Sequence, residues 1–171
     1  HGWDVMFADA TSAYFHAAET ETVYARPPDE FYDWCSLRGV PLPAGSLLWK
    51  LNKQLYGRRK AGQAWTNFVA EVIGHLGLQR CIAAPWFHYH APRKIAGETQ
   101  MDDFHFGAEG RELTWLDEQL RKHIAIKTSG VIGIGMRYCH LKRTRVRFAS
   151  GTLLLPDERY TQDILVSLGL T

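Results

Sequence analysis

Three carboxylates offer the clearest chemistry in the chain. Asp9 ends the apolar stretch Trp3-Asp-Val-Met-Phe-Ala-Asp9, and Asp102-Asp103 falls between two short stretches of strand character. An Asp at a strand end and an Asp at a hairpin tip can converge across neighbouring strands of one sheet. Converged, Asp9 and Asp102 would hold two hard divalent cations about 3.5–4 Å apart, the arrangement for in-line phosphoryl transfer. Neither half is informative alone, because Asp is also a common turn former and cap. Strand parity adds a constraint. Trp3, Val5, Phe7 and Asp9 share one face and Asp4 the other, so Asp4 and Asp9 do not share a metal.

The elements that must position these acids follow from periodicity. Residues 3–9 read as a strand. Residues 26–46 hold Pro27, Pro28, Pro41 and Pro43 with Gly39 and Gly45, and read as loop, with a short strand following at 47–51. Ala61, Trp65, Phe68, Val69, Val72, Ile73 and Leu76 recur at helical spacing, predicting a helix of about four turns that ends near Gly74 to Gly77. Residues 85–89 and 96–107 read as strands, the latter interrupted by Asp102-Asp103. A second helix is predicted over 110–124, with Leu113, Leu116, Leu120 and Ile124 inward. Residues 131–139 and 144–155 predict a hairpin. A last helix is predicted from Pro156, at its first position, to Gly169 beyond its end. The fold class expected is α+β, an antiparallel sheet with helices packed on one face, in a single domain over 1–171.

Composition is that of an ordinary globular chain, 46% hydrophobic and 22% charged. No apolar run approaches the roughly 18 residues of a membrane helix. Cys35, Cys81 and Cys139 stand far apart with no paired spacing, which points away from a disulfide framework or zinc ribbon and towards reduced core thiols. His88 and His90 lie at strand spacing but lack a partner set for a metal. The net charge of +2 identifies no partner. Basic residues do cluster, at Arg58-Arg59-Lys60 and at Lys142, Arg143, Arg145 and Arg147, as phosphate contacts or as solvated faces. The start at His1-Gly2-Trp3-Asp4 reads as a fragment boundary.

In chain order these residues resemble a known family. Asp9-Ala-Thr-Ser-Ala-Tyr14 looks like the first polymerase motif of reverse transcriptases of the Ty1/copia retrotransposon type. Glu21-Thr-Val-Tyr-Ala-Arg-Pro-Pro28 with Phe31 is similar to the next block. Leu48-Trp-Lys-Leu-Asn-Lys-Gln-Leu-Tyr-Gly57, continued by Ala61 and Ala64-Trp65, is similar to the family's most distinctive segment. Met101-Asp102-Asp103 looks like the end of its Tyr-x-Asp-Asp box, with Gln100 in place of the aromatic. Gly133-Ile-Gly-Met136, Leu153-Leu-Leu-Pro156, Tyr160-Thr-Gln-Asp-Ile-Leu165 and Leu168-Gly169 are similar to its terminal blocks. The resemblance covers essentially the whole chain.

That resemblance implies an RNA-directed DNA polymerase of a copia-like LTR retrotransposon, working by two-metal nucleotidyl transfer. The fold would be the palm, with part of the fingers, the thumb and the RNase H domain lying outside the sequence. Asp9 and Asp102 would bind two Mg²⁺ ions, or Mn²⁺, with Asp103 as supporting carboxylate. Tyr14 would exclude a 2′-hydroxyl by bulk. Gln54, Leu55, Tyr56 and Gly57 would contact nucleotide and template, and Arg58, Arg59 and Lys60 would lie where phosphate is available. The partners implied are an RNA or DNA template–primer duplex, a dNTP and the remainder of the Pol polyprotein, in the cytoplasm and without a membrane. Residues 93–100 (Arg-Lys-Ile-Ala-Gly-Glu-Thr-Gln) are polar for a strand entering an active-site hairpin. They leave open a catalytically inactive nucleic-acid-binding module.

Overall fold

The computed structural model describes residues 2–140 and 143–170, so His1, Leu141, Lys142 and Thr171 lie outside the described residues. The chain forms two compact units, one of Ser12–Phe68 and one of the flanking segments, with a boundary inside helix α2 (Ala61–His75). Each contains helix and antiparallel strand, so the class is α+β.

The larger unit is built on a six-stranded antiparallel sheet. Its strands are β1 (Asp4–Ala10), β4 (Gln79–Arg80), β5 (Phe87–His90), β6 (Ile95–Gln100), β7 (Asp103–Ala108) and β8 (Ile126–Ile132), in the order β4-β5-β6-β7-β1-β8. β1 is therefore an interior strand between β7 and β8, and it alternates: Met6, Ala8 and Ala10 are buried while Val5, Phe7 and Asp9 are half-buried. Phe104, Phe106 and Ala108 of β7 lie on the same covered face. Helix α3 (Gly110–Leu120) packs there against β1, β7 and β8. It places Leu113, Leu116 and Leu120 inward, as the spacing predicts, and Ile124 just beyond it is also buried. Each such side chain contributes roughly 1.5–3 kcal/mol of burial.

β6 forms despite its polarity. Ile95 and Gly97 are buried on the covered face, and Ala96, Glu98 and Gln100 alternate with them towards the open one. Gly97 is needed there, because a Cβ would lie 2.3 Å from the His105 carbonyl oxygen and 2.4 Å from Phe106 Cδ1.

Three expectations need correction. The Pro- and Gly-rich segment 26–46 is not all loop, because α1 (Asp29–Arg38) occupies its middle. Asp29 and Glu30 favour its N-terminus, and Gly39 closes it at φ 63°. α1 buries only Cys35, so it carries no apolar stripe for the eye to find. The predicted hairpin of 131–139 with 144–155 forms only in part, Arg137 to Cys139 pairing antiparallel with Thr144 to Val146. β8 joins the main sheet beside β1, while β9 (Arg137–His140), β10 (Arg143–Phe148) and β11 (Gly151–Leu154) form a separate three-stranded meander. Gly133 and Gly135 fall in the break between the two. Finally, α4 (Glu158–Ser167) starts after Pro156. Asp157 is its cap, its carboxylate accepting from Arg159 N at 3.0 Å.

In the smaller unit a 3₁₀ turn, Ala13–His16, is followed by the pair β2 (Tyr24–Ala25) and β3 (Trp49–Lys50), shorter than the 47–51 strand expected. Ala13, Ala17, Cys35, Ala61 and Trp65 are buried. All three cysteines are free, but only Cys35 is a core thiol, since Cys139 is exposed. Among the described residues no helix is long and apolar enough to cross a membrane.

Candidate functional site

The larger unit brings the acids together at one end of the β1–β7 pair. Asp9 and Asp103 are direct cross-strand partners. Opposed residues on antiparallel strands point to the same face with Cβ atoms about 4.5–5.5 Å apart. Here that is the face turned away from Met6, Ala8, Phe104 and Phe106. The register continues sideways, Gln100 opposite Asp103 on β6 and Lys127 opposite Asp9 on β8. Four polar residues thus form a row across four strands, with the two carboxylates at its centre.

Asp102 stands one residue beyond, in the two-residue turn Met101-Asp102 that joins β6 to β7. Its carbonyl accepts from Ala10 N at 2.8 Å, which ties the hairpin tip to the residue after Asp9. Met101 holds φ 56°, a left-handed conformation uncommon outside Gly and frequent where turns serve a site. The expected metal pair was Asp9 with Asp102. The register makes Asp103 the acid directly opposite Asp9, with Asp102 at the exposed tip.

A bulge sets the register between β1 and β8. Between Met6↔Val131 and Ala8↔Thr128, β8 advances three residues against two on β1. Gly130 in the extra stretch has φ 68°, the conformation that a glycine bulge demands. Phe7, opposite it, is served by side chains instead: its N–H donates to Ser129 Oγ at 3.0 Å, and its carbonyl accepts from Thr128 and Ser129 hydroxyls. Without the extra residue Asp9 would not meet Lys127.

Among the described residues no three His, Cys, Asp or Glu side chains gather as a metal-binding group. Two opposed carboxylates with a third on the adjoining turn nonetheless supply hard oxygen donors. Mg²⁺ is commonly held by one or two carboxylates, water and substrate phosphate. The donor set fits such an ion.

The smaller unit holds the other expected residues. Tyr14 lies in the 3₁₀ turn that follows Ser12, itself at φ 54°. Its ring meets Tyr56 at 4.6 Å between centroids, and Phe15 meets Tyr56 edge-on at 5.7 Å. Leu55 and Tyr56 are exposed, and Gly57 takes φ 90°. Tyr14 and Tyr56 are therefore brought together as an aromatic pair, with Leu55 and Gly57 beside it in sequence.

Gln54 and Arg58 are both engaged within the unit. Gln54 is 1% exposed, with Nε2 donating to the Ala18 carbonyl at 3.2 Å. Its amide ties loop to loop rather than presenting a group outward. Arg58 is ion-paired with Glu19 at 3.0 Å and Glu21 at 3.1 Å, and Lys60 with Glu21. The backbone N–H of Glu21, then Arg58, hold the Glu19 carboxyl below its ordinary value. Lys60 first and then Arg58 do the same for Glu21. Arg59 is exposed, with no ion-pair partner among the described residues.

His88 is a core residue. It is 3% exposed on the covered side of β5, with Nε2 3.0 Å from Thr99 Oγ1. Burial, and then Arg80, push its pKa down to about 4. His90 packs edge-on against Trp115 at 5.9 Å. Sequence reasoning missed Lys127, the Glu19 and Glu21 pairing and Phe15. Only the last carried a signal, as an aromatic adjoining Tyr14. No model of a known protein family matches the chain, and no curated protein matches its sequence.

Proposed function

We propose that this chain is the palm of a copia-type LTR-retrotransposon reverse transcriptase, an RNA-directed DNA polymerase. The ordered set of motif resemblances supports it, and one structural observation carries it: Asp9 and Asp103 opposed at the β1–β7 end, with Asp102 on the adjoining turn. A protein that only binds nucleic acid gains nothing from converging carboxylates, which repel phosphate unless a cation intervenes.

Asp9 and Asp102, supported by Asp103, would hold two Mg²⁺ ions, with Mn²⁺ as a substitute. Bound there, the ions supply charge stabilisation to the attacking and leaving oxygens of phosphoryl transfer. The reaction joins the primer 3′-oxygen to the α-phosphorus of a dNTP and releases pyrophosphate. The chain's own residues position the reactants. The Tyr14 ring, backed by Tyr56, excludes a 2′-hydroxyl by bulk, and Gly57 admits close approach of backbone to nucleotide or template. The partners are an RNA or DNA template–primer duplex, a dNTP and the rest of the Pol polyprotein, in the cytoplasm.

Template-directed addition of a dNMP to a labelled primer tests this. Mg²⁺-dependent extension that disappears in both Asp9→Asn and Asp102→Asn is expected, and extension retained in both variants overturns it. Duplex binding indifferent to Mg²⁺, without addition, identifies the inactive nucleic-acid-binding module instead.

A further inference from the structure

The basic triplet Arg58-Arg59-Lys60 is not three equivalent cations. Arg58 Nε and Nη2 both reach Glu19 Oε2, at 3.1 and 3.0 Å, and Nη2 also reaches Glu21 Oε2 at 3.1 Å. Glu19 has little freedom to release it. Its side chain is 1% exposed, and its other oxygen accepts from Glu21 N at 3.0 Å. Removing Arg58 from Glu19 would leave a carboxylate with little access to water without its counter-charge, which is unfavourable.

The surrounding backbone shows what the clamp does. Glu19 N donates to the Asn52 carbonyl at 3.1 Å and Gln54 N to the Ala17 carbonyl at 3.0 Å. Lys53 Nζ donates to the His16 carbonyl at 2.8 Å, and the Gln54 amide to Ala18. Residues 16–21 are thus fastened along 52–54, and the two glutamates close the far end onto 58 and 60. Lys60 is held more weakly than Arg58, because both it and Glu21 are solvent-exposed and such pairs are worth about 0–1 kcal/mol. Arg59, between them, is exposed with no carboxylate within ion-pair distance among the described residues.

We propose that Glu19 and Glu21 form a carboxylate clamp that withholds Arg58 from nucleic-acid phosphate and leaves Arg59 as the triplet's phosphate contact. Arg58 is then a positioning residue for the Gln54–Gly57 loop. This rests on the nucleic-acid partner proposed above and names which cation meets it.

Counterion release makes the division measurable, since each phosphate neutralised contributes about 0.9 to the slope of log K against log salt concentration. The experiment follows binding of the chain to a fluorescein-labelled DNA primer annealed to an RNA template, by anisotropy across a KCl series, with a thermal melt of each variant. Arg59→Ala should flatten the slope by about one unit and leave the melting temperature unchanged. Arg58→Ala should lower the melting temperature and leave the slope unchanged. The double variant Glu19→Gln/Glu21→Gln should steepen the slope, because it frees Arg58 and Lys60 to meet phosphate. An unchanged slope in the double variant, or equal flattening by Arg58→Ala and Arg59→Ala, overturns the division of labour while leaving the nucleic-acid partner standing. Salt-independent binding, or none, by the unsubstituted chain overturns the partner itself and the clamp's role with it.

Discussion

Asp9 of β1 stands directly opposite Asp103 of β7, and Lys127 of β8 stands opposite Asp9 on its other side. Two carboxylates in register on one sheet face repel each other. The Mg²⁺ proposed for this end of the sheet would offset that repulsion. Binding to the folded state alone raises stability by mass action. MgCl₂ should therefore raise the melting temperature of the unsubstituted protein in a concentration-dependent way, at constant ionic strength. Asp9→Asn should blunt that rise. An equal rise in both would assign the effect to metal bound elsewhere.

Gly97 lies on the covered face between His88 and Phe106, its cross-strand partners on β5 and β7. A methyl there would meet β7 backbone at 2.3 and 2.7 Å, atoms that cannot swing aside. Gly97→Ala should cost about 1–3 kcal/mol, the usual range for overpacking, seen as a lower urea midpoint at unchanged denaturant dependence. An unaltered midpoint would show that β6 and β7 separate more easily than their close approach indicates.

His88 makes stability depend on pH with a definite sign. Its native pKa is lowered to about 4 from an ordinary value of 6.5, so below pH 6.5 the unfolded chain takes up a proton that the native state refuses. Stability from this group is complete above pH 6.5 and declines as pH falls towards 4, by about 3 kcal/mol in all. Urea unfolding from pH 7.5 to 4 should show the decline. His88→Gln should flatten it across that window, leaving the carboxylate losses at lower pH. The same slope in His88→Gln would assign the decline to other groups.

Tyr14 packs on Tyr56, and its proposed role is discrimination against a 2′-hydroxyl. Tyr14→Ala should lower the preference for dNTP over the matching rNTP by about tenfold to a hundredfold, as hydroxyl exclusion by packing alone allows. Tyr14→Phe should keep the preference. A drop in overall rate with the preference intact would make Tyr14 a packing residue.

Much of the fold was legible because burial is periodic. Trp65, Val69, Val72 and Ile73 in α2, and Leu113, Leu116 and Leu120 in α3, declare their helices by spacing and are buried as expected. α1 escaped because it buries Cys35 alone, and ten residues without a stripe look like the prolines around them. The site was legible as residue types but not as register. Strand parity set Asp9 on the face opposite Met6 and Ala8. Its pairing with Asp103 follows from the β1–β7 register, and its pairing with Lys127 depends on a one-residue bulge at Gly130, which alternation does not reveal. The clamp on Arg58 was illegible for another reason. Glu19 lies 39 residues from it, and nothing local marks which carboxylate a cation will choose.

The decisive measurement is capture of the next complementary dNTP by the chain on a primed RNA template, compared in Mg²⁺ and in EDTA. A polymerase site built on Asp9, Asp102 and Asp103 should capture the nucleotide only with Mg²⁺. It should lose at least about tenfold in affinity in Asp9→Asn and in Asp102→Asn, since even outer-shell changes at metal sites cost that much. Duplex binding with nucleotide capture absent, or present equally in EDTA and in both variants, would mean that the opposed carboxylates do no polymerase chemistry.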